Sequence, residues 1–167
     1  MPDPGRLFLV VGPSGVGKDS LLDAARDHFR NDAGIVFPRR VITRPAGAGG
    51  EDHCPVDEAM FSQQLRDGTF ALNWVAHGLS YGVPVAVVDD LDAGRNVVVN
   101  VSRTVIDDAR TRFRHVTVLS VTADPVTLAA RLERAALMTP AGSDVVTIDN
   151  SGALDDAVSA FLNAIAG

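Results

Sequence analysis

Residues 6–19 read RLFLVVGPSGVGKD. The run from Leu7 to Val11 is continuously apolar and short, which predicts a strand buried on both faces, as in a parallel sheet. GPSGVGK, Gly12 to Lys18, fits the spacing G-x-x-x-x-G-K. Beyond it, Leu21, Leu22, Ala25 and Phe29 recur at three- and four-residue intervals and predict a helix over 18–29. Glycines between a buried strand and a helix let consecutive backbone N–H groups turn inward around a phosphate, and the positive end of the helix adds to that field. Lys18 would reach the terminal phosphates of a nucleotide. Gly12, Pro13, Ser14, Gly15, Val16, Gly17 and Lys18 are therefore the candidate ATP-binding loop. The plain alternative is a tight strand-to-helix turn with an exposed lysine. After the lysine this pattern ordinarily continues with Ser or Thr, whose hydroxyl holds Mg²⁺. Here Asp19 follows, then Ser20. Both offer the hard oxygen that Mg²⁺ accepts. Ser20 ranks ahead of Asp19 as metal ligand, because Asp19 at a helix N-terminus is also explained by its charge alone.

Outward from this loop the chain alternates. Strands are expected at 35–43, 97–101, 116–121 and 145–148, and helices at 58–66, 84–93, 103–113, 126–136 and 153–165. Such alternation predicts an α/β fold with a five-stranded parallel core sheet covered on both faces, joined by right-handed crossovers. Residues 1–167 read as one domain. Residues 44–84 interrupt the alternation and read as an insert riding on the sheet. Within it, 45–58 is rich in Gly, Pro and acids and predicts a loop, and 69–83, with Phe70, Trp74 and Tyr81, predicts short strands and a loop.

The composition of the 167 residues is that of a globular protein, 46% hydrophobic and 22% charged. A net charge of −6 argues against general nucleic-acid binding. It leaves room for an anionic small-molecule substrate, since a few placed arginines can act within an acidic chain. Cys54 is the only cysteine, so no internal disulfide forms, and a reducing, cytoplasmic compartment is expected. No apolar run approaches the roughly 18 residues of a membrane span, and the N-terminus lacks the pattern of a signal peptide.

Arg39, Arg40 and Arg44 lie near the end of the second expected strand. Arginine forks match phosphate oxygens, so these three are candidate phosphate ligands; a solvated loop is the alternative. Glu51, Asp52 and His53 follow. Carboxylates there could bind sugar hydroxyls, or simply pair with the arginines. A third group holds His77, Gly78, Tyr81 and Gly82. Tyr81 could donate its hydroxyl to a phosphate, His77 is more often structural, and Trp74 and Phe70 suit a core or a pocket wall.

Taken together, GPSGVGK, Thr43-Arg44-Pro45, DGTF at 67–70, His77-Gly78 and Tyr81-Gly82 resemble, in order, the guanylate kinase branch of P-loop nucleotide kinases. The likeness covers about residues 6–135. It implies a three-layer P-loop kinase fold with a guanylate-kinase-like acceptor-binding insert. Guanylate kinases read guanine with acids in two places, where this chain has Leu72, Asn73 and Trp74, and Asn100, Val101 and Ser102; guanine is therefore not the expected acceptor. The stretches GKDSLL (17–22), RRVITRPA (39–46), GGEDH (49–53), AHGLSYG (76–82) and NVSR (100–103) are similar to the ribose 1,5-bisphosphate phosphokinase family of phosphonate degradation, in which Asp follows the loop lysine. That likeness implies ATP and Mg²⁺, a phosphorylated sugar as substrate and 5-phosphoribosyl 1-diphosphate as product. It also implies an acceptor pocket of Arg39, Arg40, Arg44, Glu51, Asp52, His77, Tyr81 and Arg103. Neither nucleic acid nor membrane is an expected partner, and a homodimer stays open.

These kinases carry an arginine-rich lid after the fourth strand, which closes on ATP and supplies positive charge. Arg131 and Arg134 are its candidates here. The lid region, about 126–143, is shorter than the family pattern. Asn150, in the stretch DNSG at 149–152, resembles the adenine-proximal loop; a strand-to-helix connection capped by Asn150 or Ser151 is the alternative. Two rival readings stand beside the sugar-phosphate kinase: a nucleoside-monophosphate kinase, and a catalytically impaired nucleotide-binding module.

Overall fold

The computed structural model describes residues 3–13, 16–45, 52–123 and 140–167. At its centre lies β1, Leu7–Val11, every residue of which is buried. It pairs in parallel with β7, Asn96–Asn100, on one side and with β8, Val116–Thr122, on the other. β2, Ile35–Val36, and β9, Val145–Asp149, extend the sheet at its edges, giving the order β2-β7-β1-β8-β9, all parallel.

The side chains of β1 alternate between two cores, as the pleat requires. Phe8 and Val10 join Leu21, Leu22 and Ala25 of α1 (Lys18–His28) and Phe161 and Ile165 of α5 (Leu154–Ala166). Leu7, Leu9 and Val11 point the other way, toward Val87 and Leu91 of α3 (Ala86–Asp92) and Ile106 and Ala109 of α4 (Ile106–Arg112). Helices on both faces of a parallel sheet make three layers, as the alternation in the sequence leads one to expect.

A second sheet, of order β4-β3-β6-β5, shares the latter core. Its strands are β3 (Val41–Ile42), β4 (Cys54–Pro55), β5 (Phe70–Ala76) and β6 (Leu79–Pro84). Ile42, Leu72, Trp74, Tyr81 and Val83 all pack into it. β5 and β6 form a hairpin whose two-residue tip, His77-Gly78, takes positive φ at both positions (52° and 74°), the backbone of a tight twisted turn. α2, Glu58–Arg66, is capped by the Asp57 carboxylate, which accepts from the Met60 N–H at 2.7 Å. Its Phe61 stacks on Phe70 of β5.

The strand expected over 35–43 is two strands in different sheets. β2 ends at Val36, and β3 begins at Val41. Pro38 between them carries no N–H to give to a ladder, so the pairing stops there and the chain crosses from one sheet to the other. The expected loop at 45–58 contains β4, whose Cys54 N–H donates to the Arg40 carbonyl. Pro84 ends β6 instead of opening α3. The helix expected at 126–136 lies outside the described residues.

Just before β9, Arg110 of α4 grips the entering chain. Its guanidinium donates to both Asp144 carboxylate oxygens (2.8 and 2.7 Å) and to the Ala141 carbonyl (2.8 Å). The Arg110 hydrogen bond holds the Asp144 carboxyl below the usual carboxylate range, against burial, which pushes it up. A depressed folded-state value means stability that is fully present above the unfolded carboxyl's titration near pH 4 and is lost as pH falls through the lower folded value. Asp144→Asn is expected to cost about 1–2 kcal/mol at pH 7 and progressively less below pH 4, read from urea unfolding at both pH values. An equal cost at pH 7 and pH 3 would argue that the carboxylate charge is not what stabilises.

Candidate functional site

The glycine loop leaves the C-terminal end of β1 and enters α1 at Lys18. Gly12 sits against β8 so closely that a Cβ there would lie 2.5 Å from the Val121 carbonyl oxygen. Gly17 has φ 96°, a left-handed conformation that glycine adopts freely, and a Cβ on it would collide with the side-chain amide of Asn150. That amide donates to the Val16 carbonyl at 2.8 Å. Lys18 Nζ donates to the Gly12 carbonyl at 2.7 Å, so its ammonium lies across the loop. Ser14 and Gly15 lie outside the described residues. Asp19 and Ser20 are both exposed in the first turn of α1. Their carboxylate and hydroxyl oxygens are donors of the kind Mg²⁺ takes, one or two from protein and the rest from phosphates and water, so the residues present fit the ion.

Of the basic residues at 39–44, two meet at Tyr81. The Arg40 guanidinium lies over the Tyr81 ring, 5.3 Å from its centroid, and Arg44 Nη2 donates to the Tyr81 hydroxyl at 3.4 Å. Trp74, the cross-strand partner of Tyr81, stacks parallel to it at 5.3 Å between centroids. Arg40 is only 9% exposed, so the aromatic face and a tight packing hold its charge in place. Arg39 does something different. It forks onto Asp52, with Nε and Nη2 each 3.2 Å from a carboxylate oxygen, and donates to the His53 carbonyl at 2.8 Å. The pairing between acid and arginine that the sequence left open is therefore what these two form. His53, buried, donates Nε2–H to the Arg44 carbonyl at 2.8 Å and ties down the backbone at the end of β3. Its part is one the sequence reading missed, as is the stacking of Trp74; the period-2 match of Trp74 and Tyr81 across a hairpin was the available signal.

Arg103 follows β7 at the same edge of the core sheet as the glycine loop, opening a 3-10 turn (Arg103–Val105) capped by Ser102. The Val101 N–H donates to the Val10 carbonyl, tying that exit to the end of β1. His77 is exposed at the hairpin tip, four residues along from Tyr81. Glu51, Arg131 and Arg134 lie outside the described residues. On the far side of the loop, the Asp149 carboxylate accepts from the Ser151 hydroxyl at 2.6 Å and from its N–H at 3.0 Å, and these bonds hold its carboxyl below the usual range.

The site thus combines a glycine loop and lysine at the carboxyl edge of a parallel sheet, where α/β proteins collect ligands, with an arginine–aromatic cluster on a second sheet packed into the same core. That equipment suits two phosphorylated molecules. Among the described residues, no helix is long and apolar enough to cross a membrane.

No protein-family model matches the chain. In fold it is similar to the crystal structure of guanylate kinase from Anaplasma phagocytophilum (TM-score 0.69, 16% identity, covering 99% of this chain and 86% of that one). It is also similar to a sugar kinase from Janibacter sp. HTCC2649 (TM-score 0.53, 17% identity, covering 98% and 96%). In sequence it is 58% identical to ribose 1,5-bisphosphate phosphokinase PhnN of Acidiphilium cryptum over 79% of this chain and 70% of that protein. It is 42% identical to the PhnN of Agrobacterium fabrum over 90% and 91%. It is also 42% identical to the bifunctional ribose 1,5-bisphosphokinase-thymidine phosphorylase of Roseobacter denitrificans, over 98% of this chain but only 26% of that protein, so it spans about a quarter of that relative. The Roseobacter alignment occupies 179 positions filled by 98% of 167 residues, leaving about fifteen without a counterpart here. The 132 positions shared with the Acidiphilium protein fill 79% of the chain with no such surplus. By its likeness to the two PhnN proteins, the chain belongs to the ribose 1,5-bisphosphate phosphokinase family.

Proposed function

We propose that this chain transfers the γ-phosphoryl group of ATP to ribose 1,5-bisphosphate, giving 5-phospho-α-D-ribose 1-diphosphate and ADP. The observation that carries the reading is the joint presence of the glycine loop with Lys18 and of the Arg40–Tyr81–Arg44 cluster, in a chain whose relatives bear that enzyme's name. The nucleotide polyphosphate lies in the loop Gly12–Lys18, and Lys18 exchanges its bond to the Gly12 carbonyl for the β- and γ-phosphates. Ser20 or Asp19 would hold Mg²⁺, which would supply further neutralisation of phosphate charge. An oxygen of the acceptor's 1-phosphate attacks the γ-phosphorus, and the bond from that phosphorus to the ADP oxygen breaks. The attacking oxygen is already anionic, so no general base is required. Catalysis is then positioning and charge neutralisation.

Arg40 and Arg44 hold acceptor phosphates, with Tyr81 ordering both. Arg39, Asp52, Arg103 and His77 line the same pocket, with Glu51 as a further contributor by the family resemblance. Arg131 and Arg134 supply charge from a shortened lid. Guanine is disfavoured as a ligand, because Leu72 and Trp74, where guanylate kinases are expected to present an acid, are buried apolar residues. A chain with one cysteine and this metabolism belongs in the cytoplasm.

The decisive experiment is phosphorus NMR of the protein with ATP, Mg²⁺ and ribose 1,5-bisphosphate, with GMP as the parallel acceptor. The 1-diphosphate signals are expected from the sugar and none from GMP; turnover of GMP alone would replace this reading with a nucleotide kinase. Lys18→Ala is expected to lower kcat at least about a hundredfold while leaving the melting temperature near that of the parent. Tyr81→Ala is expected to raise KM for the sugar bisphosphate about tenfold with KM for ATP unchanged, since removing a buried aromatic partner frees the arginines at a cost of about 1–2 kcal/mol. A rise confined to ATP would move the Tyr81 cluster to the nucleotide side.

A further inference from the structure

Asn150 is the first residue after β9. Its backbone N–H donates to the Thr122 carbonyl at 2.6 Å, pinning it to the end of β8. Its side chain crosses to the glycine loop, 134 residues away in sequence, and donates Nδ2–H to the Val16 carbonyl at 2.8 Å. The same nitrogen stands where a Cβ of Gly17 would go. The amide therefore sits beside the peptide unit joining Val16 to Gly17, bonded to its carbonyl. Around it, Ser151 donates twice to Asp149, closing the chain into a turn that presents Asn150 in one orientation.

A peptide unit is planar and trans, so the carbonyl of Val16 and the N–H of Gly17 point in opposite directions. Whatever fixes the carbonyl fixes the N–H. A loop that binds phosphate works only while its N–H groups face the anion and its carbonyls face away; a peptide flipped by half a turn would set an oxygen against the phosphate. Gly17, free to rotate in a way other residues are not, is where such a flip is easiest.

We infer that Asn150 is a positioning residue for the glycine loop: by holding the Val16 carbonyl outward it aims the Gly17 N–H at the polyphosphate, and it acts on that polyphosphate instead of on the base. This rests on the loop being the ATP site, and it replaces the adenine contact that sequence likeness alone implies for Asn150.

The test is calorimetric titration of the full chain with Mg²⁺-tripolyphosphate, which has no base and needs no acceptor, and with MgATP. Asn150→Ala is expected to weaken both by the same factor, about tenfold, the usual effect of one lost hydrogen bond. The ratio of ATP to GTP affinity is expected to stay at the parent value. Weaker ATP binding with tripolyphosphate unaffected would assign Asn150 to the base and overturn the inference, as would no change in either. Failure of the parent chain itself to bind tripolyphosphate would instead overturn the reading of the loop, and this inference with it. Asn150→Asp, which keeps the side chain's shape and removes the donor, is the second variant in case the alanine chain does not fold. Its added charge bears equally on ATP and GTP, so both should weaken with their ratio unchanged; a changed ratio, or undiminished binding of both, would overturn the inference.

Discussion

The pairing of β1 between β7 and β8 fixes where backbone charge collects in this molecule. All five residues of β1 are buried and its neighbours are parallel, so every strand of the core sheet delivers its carboxyl end to the same edge. The glycine loop, the Arg103 turn and the Asn150 turn all leave from that edge. None of these segments is long, and none has a core of its own. They are held by what the strands hold: Gly12 against Val121, Val101 on Val10, Asn150 on Thr122. A shift of β1 along its neighbours would misplace all three at once, and the alternation of its side chains between two cores resists such a shift, since a one-residue slip exchanges the two faces.

The second sheet depends on the same packing from another direction. Trp74, Tyr81, Leu72 and Val83 project from β5 and β6 into the core that also receives Leu7, Leu9 and Val11. The arginine cluster is therefore mounted on a sheet that shares apolar contacts with the strand carrying the glycine loop. Gly82 makes the local fit possible: a Cβ there would lie 2.5 Å from the Phe70 ring, whose stacking on Phe61 anchors α2 beneath the hairpin. Arg40 is held by an aromatic face and Arg44 by a hydroxyl, which would limit what each loses in side-chain freedom on meeting the proposed acceptor phosphates.

How much of this could be read from the residues follows from which interactions are local. The glycine loop was legible because strand, turn and helix lie within about twenty-five consecutive residues and each has its own pattern. The five parallel strands were legible for the same reason, except where Pro38 splits 35–43 between two sheets; period and apolarity do not say which sheet a strand joins. The fates of Arg39 and Arg40, adjacent in sequence, were not legible. One is bound to Asp52 at the surface and the other is buried over Tyr81, and the difference arises from a hairpin forty residues on. Asn150 is the extreme case, since its partner is 134 residues away. Its residue type is equally at home capping a helix or touching a base, and only the packing of β9 beside β8 brings it to Val16.

β8 and β9 are in register from Val118 with Val145 to Thr122 with Asp149, so the two strands on either side of residues 123–144 are paired along their length. The chain re-entering the sheet is gripped before β9 begins, by Arg110 on Asp144 and Ala141. Gly142 is required there, because a Cβ would meet both the Asp144 carboxylate and the Arg110 guanidinium within 2.8 Å. This clamp fixes the return point independently of how many residues precede it, and a connection between fixed ends changes its closure entropy only slowly with length. A shortened lid, as proposed, would lower the positive charge that can be brought over a transferring phosphoryl group, a term that enters the barrier to transfer and not the stability of the fold.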